Sequence, residues 1–315
     1  MKVVLTDQVF PTIDTEVEIL GKIGAELVVL DDPSPESIRA NARDADALLN
    51  TYSPIDGETL GHLEKVKIIA RYGIGVDNVD LEAARERGVV VTNVPDYCVD
   101  EVADHTLTLL LAVARKVVIG HAHVMGGGWG IDPVRPVHRL RGQTLGLVGF
   151  GNIARGVAAR ARPLGLEVLA FDPYVKDDVL RALGAARAGS LDELLGAADI
   201  VSVHVPLLPE TRGLIGAEAI EKMRPGAIVL NTSRGPIVDV DAVVAALREG
   251  RLGGAGLDVF PSEPPDAAAF GGIANLVVTP HSAFYSDEAI TESQTKAANN
   301  VVAVLRGEQP NYRVN

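Results

Sequence analysis

The fold of this chain is indicated most clearly by residues 144–161, which read TLGLVGFGNIARGVAARA. The stretch opens with a short apolar run typical of a strand and continues with a helical pattern. Between the two, Gly149 permits a tight turn, Gly151 lets the backbone approach a pyrophosphate, and the small Ala154 allows close packing of helix on strand. Glycine-rich turns occur in many α/β loops, so this motif alone is weak evidence.

The following strand strengthens the prediction of a dinucleotide site. It ends at Asp172, which lies 21 residues after Gly151, where a carboxylate can accept hydrogen bonds from an adenosine ribose. A helix cap or a turn aspartate is the alternative role for this residue. Strand, glycine turn, helix and acidic residue together predict dinucleotide binding. Because a carboxylate repels a 2′-phosphate, we expect NADH to be preferred to NADPH.

Strand-like runs alternate with helical stretches on both sides of a central helical region, which is typical of βαβ units in parallel sheets. The predicted strands are 2–6, 26–30, 46–50, 66–70 and 89–92, and then 144–149, 167–171, 200–205, 227–231, 255–259 and 276–279. Between the two series we predict a long helix from an N-cap at Asp100 to Gly120, followed by an irregular segment over 120–142. A last helix is predicted over 287–305.

Composition and charge restrict the class of protein. A length of 315 residues suggests about two domains, and 47% apolar residues can form a sizeable core. The net charge of −13 disfavours nucleic acid as the main partner. The apolar run Leu107–Val113 is too short for a membrane span, and the N-terminus becomes polar too soon for a signal peptide. A single cysteine, Cys98, rules out an internal disulfide. We therefore expect a soluble cytoplasmic enzyme that acts on a small molecule.

Three polar side chains follow the last three predicted strands. They are Arg234, Glu263 and His281. Because the carboxyl ends of parallel strands meet at one edge of a sheet, we expect these side chains to lie close together where ligands bind. Singly, each has another explanation: a surface ion pair, a solvated loop charge and a capping or core histidine. Beside a dinucleotide site, the three together predict an active site.

The other histidines and the cysteine favour structural roles. His121 and His123 lie near a helix end with no cysteine or carboxylate cluster close in sequence, so no metal site is predicted. His204 at a strand end and His105 on the long helix are interpreted as packing or cofactor-cleft residues. We expect Cys98 to be a buried or semi-buried structural thiol.

The chain resembles the D-2-hydroxyacid dehydrogenase family from end to end, and most closely its C-terminal-binding-protein branch with the bacterial relatives of that branch. Seven motifs carry the resemblance. They are RYGIGVDNVD (71–80), EVADHT (101–106), RLRG (139–142), the glycine turn, NTSRG (231–235), LDVFPSEP (257–264) and TPH (279–281). Two positions depart from the pattern. Ala154 replaces the commoner third glycine, and Phe284 stands where the eukaryotic C-terminal-binding proteins have tryptophan.

The resemblance implies two Rossmann-like or flavodoxin-like domains, each a doubly wound parallel sheet, with a cofactor cleft between them. The substrate domain would comprise residues 1–100 and 287–315, and the NAD-binding domain residues 101–286. An arm at about 120–142 would help to form a homodimer. This arm carries apolar side chains that a free arm would expose to water, namely Trp129, Ile131, Val134 and Val137.

The resemblance also implies which residues contact the ligands. Contacts to NAD are implied for Thr106, Gly149, Phe150, Gly151, Asn152, Ile153, Ala154, Asp172, His204, Val205, Pro206, Thr211, Thr232, Ser233, Arg234, Asp258, His281 and Ala283. Contacts to the substrate are implied for Arg71, Tyr72, Gly73, Ile74, Gly75, Arg234, His281 and Phe284.

The implied reaction is transfer of a hydride between nicotinamide and C2 of a small 2-oxo or 2-hydroxy acid. His281 would supply the proton, and Glu263 would orient the imidazole and favour its charged form. Arg234 would bind the carboxylate and polarise the carbonyl, which suits its planar guanidinium. Two alternatives remain open: an NAD(H)-sensing scaffold of the C-terminal-binding-protein kind, and a phosphoglycerate dehydrogenase, although we expect no regulatory domain after Asn315.

Overall fold

Two parallel β-sheets organise the chain, and the computed structural model describes all of residues 1–315. One unit comprises Met1–Cys98 and Tyr285–Asn315, and the other comprises Val99–Phe284. Each sheet has an apolar core on both of its faces. The predicted α/β class with two doubly wound parallel-sheet domains is confirmed.

The first unit has a five-stranded sheet. Its strands are β1 (Lys2–Leu5), β2 (Glu26–Val29), β3 (Ala47–Asn50), β4 (Ile68–Arg71) and β5 (Val90–Thr92). They are parallel and lie in the order β2-β1-β3-β4-β5, which is the flavodoxin-like arrangement. Its helices are α1 (Asp14–Gly21), α2 (Pro35–Asn41), α3 (Gly57–His62), α4 (Leu81–Glu86) and, from the end of the chain, α12 (Asp287–Leu305).

The second unit has a seven-stranded parallel sheet. Its strands are β6 (Thr144–Val148), β7 (Glu167–Phe171), β8 (Ala185–Arg187), β9 (Ile200–Val203), β10 (Ala227–Asn231), β11 (Leu252–Leu257) and β12 (Leu276–Val278). The order β12-β11-β10-β9-β6-β7-β8 is the Rossmann order with one extra edge strand. Its helices are α5 (Val99–Ala114), α6 (Val117–Met125), α7 (Asn152–Ala161), α8 (Asp177–Ala182), α9 (Leu191–Ala197), α10 (Ala217–Lys222) and α11 (Val240–Arg248).

Local sequence explains where these elements occur. Central strands such as β3, β4 and β9 are buried at every residue, so they are mainly apolar and do not alternate; their polar residues are Asn50, Arg71 and Ser202. Six helices begin where a serine or aspartate side chain accepts a hydrogen bond from a first-turn amide. These caps are Ser34, Asp56, Asp80, Ser190, Asp239 and Ser286.

One of the seven strands of the second sheet, β8, is not predicted by the sequence pattern. Its three residues, Ala185–Arg187, lack the β-branched and aromatic side chains that mark a strand in a sequence. Pairing with β7 places it at the edge of the sheet. The prediction of six strands in this half of the chain was therefore wrong by one.

The order of the second sheet reverses at β6, which pairs with β7 on one side and with β9 on the other. In open parallel sheets, ligands bind outside the carboxyl ends of the strands at such a reversal. The glycine turn follows β6, and residues 204–211 follow β9, so both border this position. The topology thus specifies one edge of the second unit as the place for a ligand.

The helix predicted from Asp100 to Gly120 is two helices, α5 and α6, bent by 61°. The break lies at Lys116, whose backbone is left-handed at φ 52° and ψ 40°. Because apolar residues continue across the break, the sequence pattern does not reveal it. The prediction of an irregular segment from residue 120 was also wrong, since α6 extends to Met125 and a short 3₁₀ helix occupies Asp132–Val134.

Asp100 is not the N-cap of α5, because the helix already begins at Val99. Its Oδ1 accepts a hydrogen bond of 2.6 Å from Arg160 Nη2 on α7, and Asp104 Oδ1 accepts one of 2.5 Å from Arg160 Nε. The first two turns of α5 are thereby tied to the helix that follows the glycine turn.

No single helix of the chain is both long enough and apolar enough to cross a membrane. Only α5 and α6 taken together reach that length and composition, as a pair bent by 61°. Within α5, the apolar residues Val102, Leu107, Leu109, Leu110 and Val113 are buried.

The break at Lys116 generates the first prediction. A left-handed backbone conformation is less favourable by about 1 kcal/mol or more for a residue with a side chain, whereas glycine adopts it without this steric cost. We expect Lys116→Gly to be about 1 kcal/mol more stable than Lys116→Ala in urea unfolding, because both lose the same hydrogen bond from Nζ to the carbonyl of Arg135. Equal stability of the two variants would show that the left-handed backbone is not the constraint at this position.

Candidate active site

The glycine turn between β6 and α7 has the geometry of a pyrophosphate site. Gly149 has φ +91°, and a Cβ there would lie 2.8 Å from the carbonyl oxygen of His204, so only glycine fits. Gly151 precedes α7, no side chain caps the first amides of that helix, and the space around the Cβ position of Gly151 is open. Ala154 is fully buried. Accessible amides at a helix N-terminus fit the pyrophosphate of a dinucleotide.

Asp172 follows β7 and fixes this turn from the side. Its Oδ2 accepts a hydrogen bond of 2.9 Å from the amide of Phe150, and its Oδ1 accepts from the amides of Tyr174 (2.9 Å) and Val175 (3.2 Å). Asp172 is therefore a turn aspartate and also lies beside the glycine turn. Phe150 has a fully buried ring, so only its backbone can contribute to a ligand.

Arg187 supports the same loop and is not identifiable from the sequence. Its Nη1 donates a hydrogen bond of 2.9 Å to the carbonyl of Asp172, and its guanidinium also contacts the carbonyl of Val175 and the carboxylate of Asp177. The arginine thus holds the segment that presents Asp172. The sequence does not indicate this role because Arg187 lies on β8, a strand that the sequence pattern does not predict.

His204 directly follows β9, the strand on the other side of β6. Its amide donates to the carbonyl of Val148 at 2.8 Å, and its Nε2 lies 2.8 Å from Ser202 Oγ. Burial lowers the pKa of His204 from 6.5 to about 4, so the imidazole is neutral near neutral pH. The loop that follows is held by Thr211, whose hydroxyl donates to the carbonyl of Pro206 at 2.6 Å.

Thr106 and Thr232, both predicted near the cofactor, contact each other. Their hydroxyl oxygens are 2.9 Å apart, and Thr106 also donates to the carbonyl of Val102 at 2.7 Å. Thr106 is fully buried, whereas Thr232 keeps a small exposed area. In this structure, the Thr106 side chain supports the loop after β10.

That loop carries Arg234. Asn231 holds it at both ends, donating from Nδ2 to the carbonyl of Arg234 at 2.9 Å and accepting from the amide of Ser233 at 3.0 Å. Ser233 Oγ donates to the carbonyl of Val203 at 2.6 Å, which joins the loop to β9. Arg234 Nη1 donates to the carbonyl of Ser233 at 2.9 Å. The arginine is thus presented by a loop with a defined backbone.

Glu263 and His281 form the contact that the sequence predicts for them. His281 Nδ1 lies 2.8 Å from Glu263 Oε2, and Glu263 Oε1 accepts from the amide of Phe260 at 3.0 Å. An ionised carboxylate only accepts, so Nδ1 carries the proton in this contact. Phe284 lies edge-on to the imidazole, with ring centroids 6.1 Å apart.

The charges at this position favour an ionised Glu263. Partial burial raises the pKa of Glu263, but the hydrogen bonds from His281 and the Phe260 amide, with the positive charge of Arg234, outweigh burial and bring it below its ordinary value. Glu263 therefore stays negative through the physiological range. Arg234 acts electrostatically on the same carboxylate, so the three residues form one cluster.

In the first unit, Arg71 and Tyr72 have well-defined partners. Arg71 Nε donates to Asn50 Oδ1 at 3.3 Å, and its Nη2 contacts the carbonyl of Thr51. The Tyr72 ring is buried, and its hydroxyl donates to Glu16 Oε1 at 2.7 Å. Burial and then the charge of Glu16 raise the pKa of Tyr72 well above its ordinary value. Only the backbone of Tyr72 can therefore contribute to a ligand.

The turn after Tyr72 is held by its neighbours in the same unit. Asn93 Nδ2 donates to the carbonyl of Ile74 at 2.7 Å, and the amide of Val94 donates to the carbonyl of Gly73 at 3.1 Å. The residues of this turn are partly exposed. Cys98 is buried, as expected.

Comparison with known proteins identifies relatives of the whole chain. Residues 107–283 match the family described as D-isomer specific 2-hydroxyacid dehydrogenase, NAD binding domain. The D-3-phosphoglycerate dehydrogenase of Methanocaldococcus jannaschii is 35% identical over 316 residues, which cover 100% of this chain and 59% of that protein. The glyoxylate reductase of Korarchaeum cryptofilum is 39% identical over 289 residues, which cover 90% of this chain and 86% of that protein.

Solved structures have the same fold. A glyoxylate reductase from Paecilomyes thermophila aligns with a TM-score of 0.92 at 27% identity and covers 100% of this chain and 98% of that chain. A D-lactate dehydrogenase from Aquifex aeolicus, complexed with NAD and lactic acid, aligns with a TM-score of 0.88 at 27% identity. The alignment covers 98% of this chain and 96% of that chain. The placement in the C-terminal-binding-protein branch stays a prediction.

His204 generates a prediction about stability. Its pKa is about 4 in the folded protein and 6.5 when unfolded, so its contribution is complete above pH 6.5 and is lost as the pH falls toward 4. Relative to His204→Gln, the wild type should lose about 2 kcal/mol of unfolding free energy between pH 7.5 and pH 5. Urea unfolding at the two pH values measures this, with the exposed His62→Gln as a control that follows the wild type. A parallel pH dependence for His204→Gln would contradict a buried neutral imidazole.

Proposed function

Because this chain belongs to the D-isomer specific 2-hydroxyacid dehydrogenase family, we propose that it interconverts a small 2-oxo acid and the corresponding D-2-hydroxy acid, using NADH and NAD⁺. The observation that carries this proposal is the 2.8 Å contact of His281 with Glu263, beside Arg234, at the carboxyl edge of the NAD-binding unit. The relatives are named as reductases and dehydrogenases, which favours turnover over the scaffold alternative.

The proton is the part of the reaction that this chain's own residues supply. NADH, when bound, provides the hydride for C2 of the oxo acid. Because Glu263 holds the Nδ1–H of His281, Nε2 is the nitrogen left to donate a proton to the carbonyl oxygen as negative charge develops there. In the opposite direction, neutral His281 accepts the proton of the hydroxyl group.

The substrate carboxylate requires a cation. Arg234 provides one, and its planar fork can bind both carboxylate oxygens while its charge polarises the neighbouring carbonyl. In the first unit, Arg71 and the backbone of Gly73–Gly75 stay proposed contacts to the substrate.

The cofactor preference follows from Asp172. Its carboxylate is oriented by three backbone amides, two on Oδ1 and one on Oδ2, so one lone pair of Oδ2 stays available to a ribose hydroxyl, and the negative charge lies where a 2′-phosphate would bind. Arg187, the nearby cation, is already committed to two carbonyls and to Asp177. Both features favour NADH over NADPH.

A panel of 2-oxo acids tests the proposed activity. Glyoxylate, pyruvate, hydroxypyruvate, 2-oxobutyrate and phenylpyruvate are each mixed with NADH or NADPH, and the loss of absorbance is followed. We expect turnover of at least one acid, with higher kcat/KM for NADH. On that acid, His281→Ala should lower kcat by about 10² to 10⁴, with NADH affinity little changed.

His62→Ala, at an exposed histidine of the first unit, serves as the matched control and should behave as the wild type. Melting temperatures of the same preparations separate lost chemistry from lost folding. Near wild-type turnover by His281→Ala would contradict the assigned proton donor. Absence of turnover with every acid, despite measurable NADH binding, would favour the scaffold alternative.

We propose that the second copy of this chain in a homodimer covers α6 and the arm after it. None of the side chains of α6 is buried, although most of them are apolar. Trp129 is 90% exposed, Met125 73%, Ile131 61% and Val118 50%. Exposed apolar side chains in this number, on one helix and the segment after it, are a liability in water unless a partner covers them.

Light scattering at micromolar concentration tests the dimer. We expect the wild type to have twice the chain mass of 33.2 kDa. The double variant Val118→Asp/Ile131→Asp should shift toward the monomer, because charges in an apolar interface are costly to desolvate. Val17→Asp, at a residue of α1 that is 51% exposed, should leave the mass unchanged. A monomeric wild type would reject the proposal.

For the location, we propose the cytoplasm. The single cysteine, Cys98, is buried as a free thiol, and free thiols persist in a reducing compartment.

A further inference from the structure

The backbone of His281 has a conformation that few residues adopt. Its φ is +51°, in the left-handed region that is uncommon for residues other than glycine, although asparagine, aspartate and histidine enter it more often than the rest. Such a residue persists only where the surrounding structure determines it. The position of the imidazole therefore depends on whatever holds the backbone of residues 279–283.

Asp258, at the end of β11, supplies most of those contacts. Its carbonyl oxygen accepts from the amide of His281 at 2.8 Å. Its carboxylate is fully buried and accepts from the Ser282 amide at 3.0 Å, the Ala283 amide at 2.9 Å and the Thr279 hydroxyl. One aspartate thus bonds to four residues of the segment that presents the proton donor.

His105, on α5, lies at the far end of this network. Its Nε2 is 3.0 Å from Thr279 Oγ1 and 3.6 Å from Asp258 Oδ1. The Thr279 hydroxyl has one hydrogen, which it donates to the carboxylate, so its oxygen accepts from His105. The proton of His105 is thereby assigned to Nε2.

We propose that His105 is a positioning residue for the reaction: its Nε2–H holds Thr279, whose hydroxyl anchors on Asp258 the segment that carries His281. The inference rests on the proposed function, because it concerns the geometry of the same proton donor. His105 touches neither His281 nor Glu263 in this network; it acts through Thr279 and Asp258. A displacement of the donor by a fraction of an ångström is enough to slow proton transfer.

Paired variants separate the hydrogen bond from the shape of the side chain. Thr279→Val removes the hydroxyl at constant volume, and Thr279→Ser keeps it. His105→Leu removes the donor, and His105→Gln places an amide N–H near the position of Nε2. We expect Thr279→Val and His105→Leu each to lower kcat about tenfold, with KM for the oxo acid and NADH affinity little changed. Thr279→Ser and His105→Gln should restore most of kcat.

The two sites should not act independently. Because His105 works through Thr279, His105→Leu/Thr279→Val should be no slower than the worse single variant. Thr108→Val is the matched control, since the exposed Thr108 on α5 donates only to the carbonyl of Asp104 at 2.9 Å, and its loss should leave kcat unchanged. Multiplying losses in the double variant would overturn the proposal.

A second readout does not depend on turnover. The Nδ1 proton of His281, hydrogen-bonded to Glu263, should give a downfield proton NMR resonance that disappears in His281→Ala. We expect this resonance to move or broaden in Thr279→Val and His105→Leu and to stay in Thr279→Ser and His105→Gln. An unchanged resonance and unchanged kcat in His105→Leu would overturn the proposal, as would equal losses in His105→Leu and His105→Gln. If no oxo acid is reduced, the proposed function fails, while the resonance still tests the positioning network.

Discussion

The parallel direction of all seven strands in the second sheet is the constraint on which the site depends. A strand that runs parallel to its neighbour must be reached by a crossover, so every strand ends at the same edge. The glycine turn after β6, Asp172 after β7, His204 after β9, Arg234 after β10, Glu263 after β11 and His281 after β12 are therefore gathered there from distant parts of the chain. These residues meet at one edge because of the strand direction, although they are far apart in the sequence.

Polar side chains that accept from backbone amides fix this edge. Asp172, Asn231 and Asp258 each do so, which gives each loop a determined conformation before a ligand binds. The carboxylate of Asp258 is fully buried, which is costly unless its lone pairs are satisfied, and here the amides of Ser282 and Ala283 satisfy them. The same bonds that stabilise the loops also preorganise the groups that we propose to act on the substrate, which would reduce the cost of orienting them during the reaction.

The sequence predicts the elements of this site better than the directions of its side chains. Gly149, Asp172 and the cluster of Arg234, Glu263 and His281 are predictable because motif spacing and strand order determine where they lie. Tyr72 is different, since its position in a motif does not reveal that its ring turns into the core toward Glu16. Arg187 is unpredictable because the strand that carries it has no strand-like residues, and the break at Lys116 is hidden by a continuous apolar pattern.

The central claim is that His281, paired with Glu263, gives the proton to the oxo acid. Turnover of a 2-oxo acid with NADH by Glu263→Gln, compared with His281→Ala and with the double variant, tests it most directly, because the glutamine keeps the shape of the side chain and removes its charge. Glu263 acts through its 2.8 Å contact with His281 Nδ1, so its loss should matter only while the imidazole is present. We expect Glu263→Gln to lower kcat about tenfold in the wild-type background and to leave kcat of His281→Ala unchanged, with the melting temperature little changed. An equal fractional loss of kcat in both backgrounds would contradict the claim.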